Sequence, residues 1–206
     1  PLAMAMDSPQ FAAQKAALQQ LMWPDGKLSA AVTGQSARVI AERAGFEDIA
    51  ARDRLVLFFH YLLVDALMVG GFDNDLDGVI EENLPNFKGK LDWLGLQYYF
   101  RAGVTGNGGL LPVLKLTPCF STFDFGSCVE PIDRSYCVPT MGYEHYAPGI
   151  QTVIAAFGAR FPGLPLVISE GGIGTEVGER RAENIVRALE HIHAARRSGV
   201  DVRGYY

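Results

Sequence analysis

The stretch Pro165-Leu166-Val167-Ile168-Ser169-Glu170-Gly171-Gly172-Ile173-Gly174 constrains the chain most. It reads as a short apolar strand that stops at a carboxylate, followed by three glycines in four residues and then a charged helix from about Glu179 to Ser198. In an α/β barrel the side chains at the carboxyl ends of the strands point into the active-site mouth, and glycines beyond them let the backbone turn sharply. Glu170 stands at such a position. A strand-end acid also serves to cap the following helix, so position by itself leaves a structural glutamate open.

Three other stretches carry a matching pattern. They are Leu91-Asp92-Trp93-Leu94-Gly95-Leu96-Gln97-Tyr98-Tyr99, Met141-Gly142-Tyr143-Glu144-His145-Tyr146 and the final Gly199-Val200-Asp201-Val202-Arg203-Gly204-Tyr205-Tyr206. With Leu-Val-Ile-Ser-Glu-Gly-Gly-Ile in its place between them, the set resembles glycoside hydrolase family 1, the β-glucosidase family of clan A. The corresponding family patterns are D-F-L-G-x-N-Y-Y, M-G-W-E-x-Y, I-T-E-N-G and G-V-D-V-R-G-Y, in the same order along the chain. The resemblance implies an α/β fold, a partial (β/α)8 TIM barrel amounting to roughly its C-terminal half. Residues 1–206 then form a single incomplete domain, with 91–206 the best-matched region and 1–50 an unassigned helical region.

The same resemblance assigns roles. Glu170 is the nucleophile that would form a covalent glycosyl-enzyme, and Tyr99 donates the hydrogen bond that keeps this carboxylate ionised and oriented. Gln97 and Tyr143 fall among the substrate-binding positions. Gln97 stands where the family has Asn, offering the same amide on a stem one methylene longer, and Gly171 also replaces an Asn. Tyr98 reads as core packing. The family's N-E-P motif, which carries the general acid/base, is missing from the sequence, and so is the W-S-L-x-D-N-F-E-W segment that follows its last strand. Both ends therefore read as cut, since a whole barrel takes about 250 residues against 206 here.

Composition restricts the partners. A net charge of −5 at pH 7 argues against a phosphate-binding surface, so nucleic acid is not expected, whereas a neutral β-glycoside or oligosaccharide fits. The most apolar run, Leu55 to Val69, includes His60 and Asp65. It is shorter than the ~20 residues of a membrane span, so a buried barrel helix is expected and no span. Its end, Asp65-Ala66-Leu67-Met68-Val69-Gly70, resembles the family's D-P-L-x-x-G. Cys119, Cys128 and Cys137 cluster without a zinc-binding spacing. Together with the loop described next they lean toward an oxidising, extracytoplasmic compartment.

That loop is Asp73-Asn74-Asp75-Leu76-Asp77-Gly78-Val79-Ile80-Glu81. Alternating carboxylates followed by Gly match a calcium loop at Asp73, Asp75 and Asp77, where alternation turns several oxygens onto one ion. The twelfth position is Leu84 instead of a bidentate Glu, and Glu81 or Glu82 substitutes only along a different loop path. A solvated acidic turn stays an alternative. No cofactor is required by the expected chemistry, and calcium would be structural.

Along the rest of the chain, Asp7-Ser8-Pro9 opens a helix that Pro24-Asp25-Gly26 ends, and a second short helix is expected around Ser36 to Ala44. Residues 101–146 read as a long loop walling a cleft, with Phe120, Phe123, Phe125, Tyr136 and Tyr143 as candidates to stack on sugar faces. Pro148 to Arg160 is amphipathic, with Ile150, Val153, Ile154 and Phe157 on one stripe. The last helix is expected to place Ile185, Val186, Leu189 and Ile192 inward and to pair Glu183 with Arg187. His191 and His193 lack partners of metal spacing and read as structural. Gly172-Ile173-Gly174 with Gly178 superficially resembles a dinucleotide-binding turn, but Glu170, Glu176 and Glu179 around it would repel a pyrophosphate.

Two readings follow. One is a fragment of a retaining β-glycosidase, catalytically incompetent alone because its acid/base partner is absent. The other is a non-catalytic sugar-binding or calcium-stabilised structural module derived from the same barrel.

Overall fold

A computed structural model of the chain describes residues 9–30, 32–33, 47–106, 117–119, 137–138 and 143–206. In order these form α1 (Pro9–Met22), α2 (Glu47–Val56), a π-helical turn (Leu57–Tyr61), α3 (Leu62–Val69), β1 (Gly71–Phe72), β2 (Glu82–Asn83), β3 (Leu94–Tyr98), β4 (Gly103–Thr105) and β5 (Thr117–Cys119). They continue with β6 (Cys137–Val138), β7 (Tyr143–Glu144), α4 (Pro148–Arg160), β8 (Leu166–Gly171), α5 (Gly178–Arg197) and β9 (Val202–Tyr205). The expected helix at Ser36 to Ala44 lies outside the described residues.

β3, β8 and β9 build a three-stranded sheet in that order, with both pairings parallel. Parallel neighbours need a crossover, and α4 and α5 supply them. This is the repeating β/α unit of a barrel wall. The sheet is open: β3 and β9 are its edges among the described residues, so the fold is a partial α/β structure and no closed barrel is present among them.

Both helices pack on one face of the sheet. Leu96, Leu166, Ile168 and Val202 from the strands meet Ile150, Ile154 and Phe157 of α4 and Ile192 and Ala195 of α5 in one buried cluster. Ile154 and Ile168 are fully buried, and Leu166 is nearly so. At about 25 cal/mol per Å2 of apolar surface removed from water, each such side chain contributes roughly 1.5–3 kcal/mol. α4 buries three of the four residues of its expected stripe, with Val153 at the margin of the cluster.

α5 differs from expectation. Its buried residues are Asn184, Ala188, Ile192 and Ala195, whereas Ile185, Val186 and Leu189 are 42%, 56% and 46% exposed. The buried stripe is rotated toward the small residues because α5 packs directly on α4, and alanines let two backbones approach. The Glu183–Arg187 pair forms as expected, at 2.7 Å and exposed.

The long apolar helix is broken by the π turn, and its outer side is open: Phe59 and Leu63 are each 68% exposed. Its inner side carries Asp65, which accepts two hydrogen bonds from Arg160 of α4, from Nε at 2.9 Å and Nη2 at 2.6 Å. The guanidinium also lies over the Tyr61 ring. Gly70 ends the helix at φ +73°, where a Cβ would come within 3.0 Å of the Leu84 carbonyl oxygen. No helix among the described residues is long and apolar enough to cross a membrane.

Candidate active site

The carboxyl ends of β3, β8 and β9 converge, and the direction of Glu170 is set by an irregularity in their pairing. Leu94, Gly95 and Leu96 pair with Leu166, Val167 and Ile168, but Gln97 pairs with Glu170, leaving Ser169 without a partner opposite. Strand side chains alternate between faces. Leu96, Leu166 and Ile168 face the helices, so a regular strand would carry Glu170 to the same apolar side. The extra residue at Ser169 reverses the phase, a known use of a β-bulge, and Glu170 joins Gln97 on the opposite face, where both are exposed. Ser169 Oγ donates to the Leu96 carbonyl at 3.3 Å. It occupies space beside Gly95, where a Cβ would lie 3.0 Å from it.

Past the end of β3, Tyr99 falls in phase with Gln97. Its hydroxyl donates to Glu170 Oε2 at 2.6 Å. The intervening Tyr98 points to the helix side, packs at the margin of the core and donates to the Tyr146 carbonyl at 2.6 Å. Gly149 makes this reach feasible, since a Cβ there would meet the Tyr98 hydroxyl at 1.9 Å. The structure thus brings Glu170, Tyr99 and Gln97 together. The backbone of Tyr143 lies in β7, and its side chain lies outside the described residues, as do Phe120, Phe123, Phe125, Tyr136 and the side chains of all three cysteines.

Three neighbours carried no sequence signal strong enough to single them out. Ser169 is the bulge residue. Tyr205, paired with Ile168, lines a cavity of about 10 Å3 behind Gly171 and Gly172, together with Tyr98, His145 and Asn184. His145, in the segment joining β7 to α4, is the third; burial pushes its imidazole below the ordinary histidine value, and a hydrogen bond to the Tyr99 backbone opposes this. Desolvation likewise raises the Tyr205 phenol.

The acidic loop lies elsewhere. β1 and β2 pair antiparallel, Phe72 opposite Glu82, so the loop between them is a hairpin connection that returns Glu81 beside Asp73. Carboxylate oxygens of Asp73, Asp75, Asp77 and Glu81 all fall within 4.8 Å of one another, and these residues could hold a divalent cation. Asp73 also accepts from the Asp77 and Gly78 amides at 3.0 and 2.7 Å, and Glu81 accepts from Asn74 at 2.9 Å. Of the helix histidines, His191 pairs with Gln151 across α4 and α5 at 3.0 Å, a structural contact.

No family profile matches the chain. Individual proteins do. Over 142 residues, 65% of this chain, it is 31% identical to a β-galactosidase of Sulfolobus acidocaldarius, of which it covers 27%. A β-glycosidase from Pyrococcus horikoshii superposes with a TM-score of 0.58 at 27% identity, over 78% of this chain and 34% of that one. A family 1 β-glucosidase from Thermotoga maritima superposes with a TM-score of 0.60 over 77% of this chain and 36% of that one. At 19% identity, this last likeness shows the fold alone. The chain spans about a third or less of the length of the relatives it matches.

Proposed function

The chain belongs to family 1 of the glycoside hydrolases, and we propose that it forms the nucleophile-bearing part of a retaining β-glycosidase. The observation that carries this reading is the Tyr99 hydroxyl on Glu170 Oε2 at 2.6 Å, at the carboxyl end of a parallel strand. A phenol donating to one carboxylate oxygen fixes the direction of the group and leaves the second oxygen to react. That oxygen attacks the anomeric carbon of a β-glycoside as the bond to the leaving oxygen breaks, and the leaving oxygen takes a proton from a general acid. Water then attacks the same carbon, the ester to Glu170 breaks, and the conjugate base receives the proton. Two inversions retain the configuration. Gln97, the cross-strand neighbour of Glu170, offers an amide to a sugar hydroxyl.

The acid/base carboxyl must stand about 5–5.5 Å from the nucleophile. The family's motif for it does not occur in this sequence, so these residues by themselves are expected to give no turnover. The test uses the full-length gene product and a 2-deoxy-2-fluoro glycoside, which traps the covalent intermediate. Peptide mass spectrometry is expected to place the adduct on the peptide containing Glu170, and Glu170→Gln to abolish it. An adduct on another residue, or sugar binding with no adduct, would overturn the proposal; the second outcome would favour a non-catalytic sugar-binding barrel.

A further inference from the structure

Among the described residues, β9 pairs with β8 only as far as Ile168 opposite Tyr205, so Glu170 and Gly171 have β3 beside them on one edge and no strand on the other. Behind them lies the cavity of about 10 Å3, lined by His145, Asn184, Ala188 and Tyr205 among others. Glycine at 171 leaves this space open. Glu170 points to the open face of the sheet, so alternation directs a Cβ at 171 toward the helix side. There it would stand 3.4 Å from the Tyr98 carbonyl oxygen, and 3.6 and 3.8 Å from Cε2 and the hydroxyl oxygen of Tyr205. These are ordinary contacts, with nothing in the way of a short side chain.

The wall of the cavity carries polar groups. Asn184 is 4% exposed. Among the described residues, His145 Nδ1 is the one buried side-chain polar atom without a hydrogen-bond partner, and a buried nitrogen left in that state is costly. Burial lowers the imidazole's pKa and so favours the neutral ring, in which one nitrogen donates and the other accepts. Water does either, so it satisfies Nδ1 in both tautomers. The volume suits a single water and nothing larger, and cavities that stay dry are apolar ones. With the Asn184 amide and the Tyr205 hydroxyl, His145 Nδ1 makes up the roughly three partners that a buried water takes.

We infer that this cavity binds one internal water, held by His145 Nδ1, the Asn184 side chain and the Tyr205 hydroxyl. The water joins the segment before α4, α5 and β9 immediately behind the strand end that carries Glu170. The site requires nothing of the glycosidase reading, because a water there braces the strand end with or without turnover.

The test is a crystal structure of the full-length gene product. One ordered water is expected in the cavity, about 2.7–3.2 Å from His145 Nδ1 and within the same reach of Asn184 or Tyr205. An empty cavity overturns the inference, and so does a protein side chain lying in it. His145→Phe keeps a ring and removes the nitrogen, and is expected to lose the water; a water that persists there in the folded variant would mean that Nδ1 does not hold it. Gly171→Ser is expected to put its new hydroxyl on His145 Nδ1 in the water's place. In solution, water relaxation dispersion should then fall, from the unsubstituted protein to Gly171→Ser, by the contribution of a single long-lived water. No fall overturns the inference. Fluoro-glycoside labelling reads the glycosidase proposal separately, since its failure would leave the water where it is.

Discussion

Deleting one residue, Ser169, is expected to remove Glu170 from the site without changing any residue that touches substrate. The deletion restores regular pairing of β8 with β3, and alternation then carries Glu170 to the side of Leu166 and Ile168, among the helix-facing residues. A carboxylate placed there without a partner costs several kcal/mol. Urea unfolding should show the loss, and fluoro-glycoside labelling should cease. Ser169→Ala keeps the bulge and removes only the 3.3 Å bond to Leu96, so a loss of about 0.5–1.5 kcal/mol is expected with labelling retained. The contrast explains what could be read from residues alone. Glu170 and Tyr99 are singled out by the motifs that resemble the family, since the position of a strand-end acid alone leaves a structural role open. The bulge that makes them meet is a property of the pairing between two segments 71 residues apart, and no local pattern in either encodes it.

The same holds for helices. The amphipathic period of α4 and α5 shows in the sequence, and so do their limits, because Gly163 and Gly199 take positive φ just beyond them. Which side of α5 is buried does not show, because Ile185, Val186 and Leu189 outweigh Ala188 and Ala195 in hydrophobicity and yet lie outward. Close helix packing selects small volume over apolar area at a contact, a tertiary choice. Ala188 is 8% exposed and lines the cavity behind Gly171. Ala188→Leu is therefore expected to destabilise by about 1–3 kcal/mol through overpacking, while Leu189→Ser on the neighbouring exposed position should stay within about 0.5 kcal/mol. Urea unfolding midpoints at constant slope would check both. Equal costs at the two positions would mean that α5 sits rotated from the arrangement described.

For the molecule as a whole, the parallel order of β3, β8 and β9 is readable from the alternation of strand and helix, whereas closure of a barrel depends on strands that the described residues do not include. Stability nevertheless has a shape that these residues dictate. His60, in edge contact with Tyr61 and Phe157, and His145 are both held below the ordinary histidine value of 6.5 by burial. Their unfolded forms bind protons first as pH falls, so stability is full above about 6.5 and declines below it, until the folded forms also protonate. Tyr61 and Tyr205 are raised above 10.0 by burial. Their unfolded forms ionise first as pH rises, so stability is full below about 10 and declines above it. The expected profile is a plateau from about pH 6.5 to 10 with a falling limb on each side. Thermal melts across pH 4.5 to 11 would trace it. His60→Phe, which keeps an aromatic ring against Phe157, should flatten the acid limb without moving the alkaline one, because only the acid limb draws on an imidazole. An acid limb unchanged in both His60→Phe and His145→Gln would mean that neither imidazole is desolvated by its neighbours in solution.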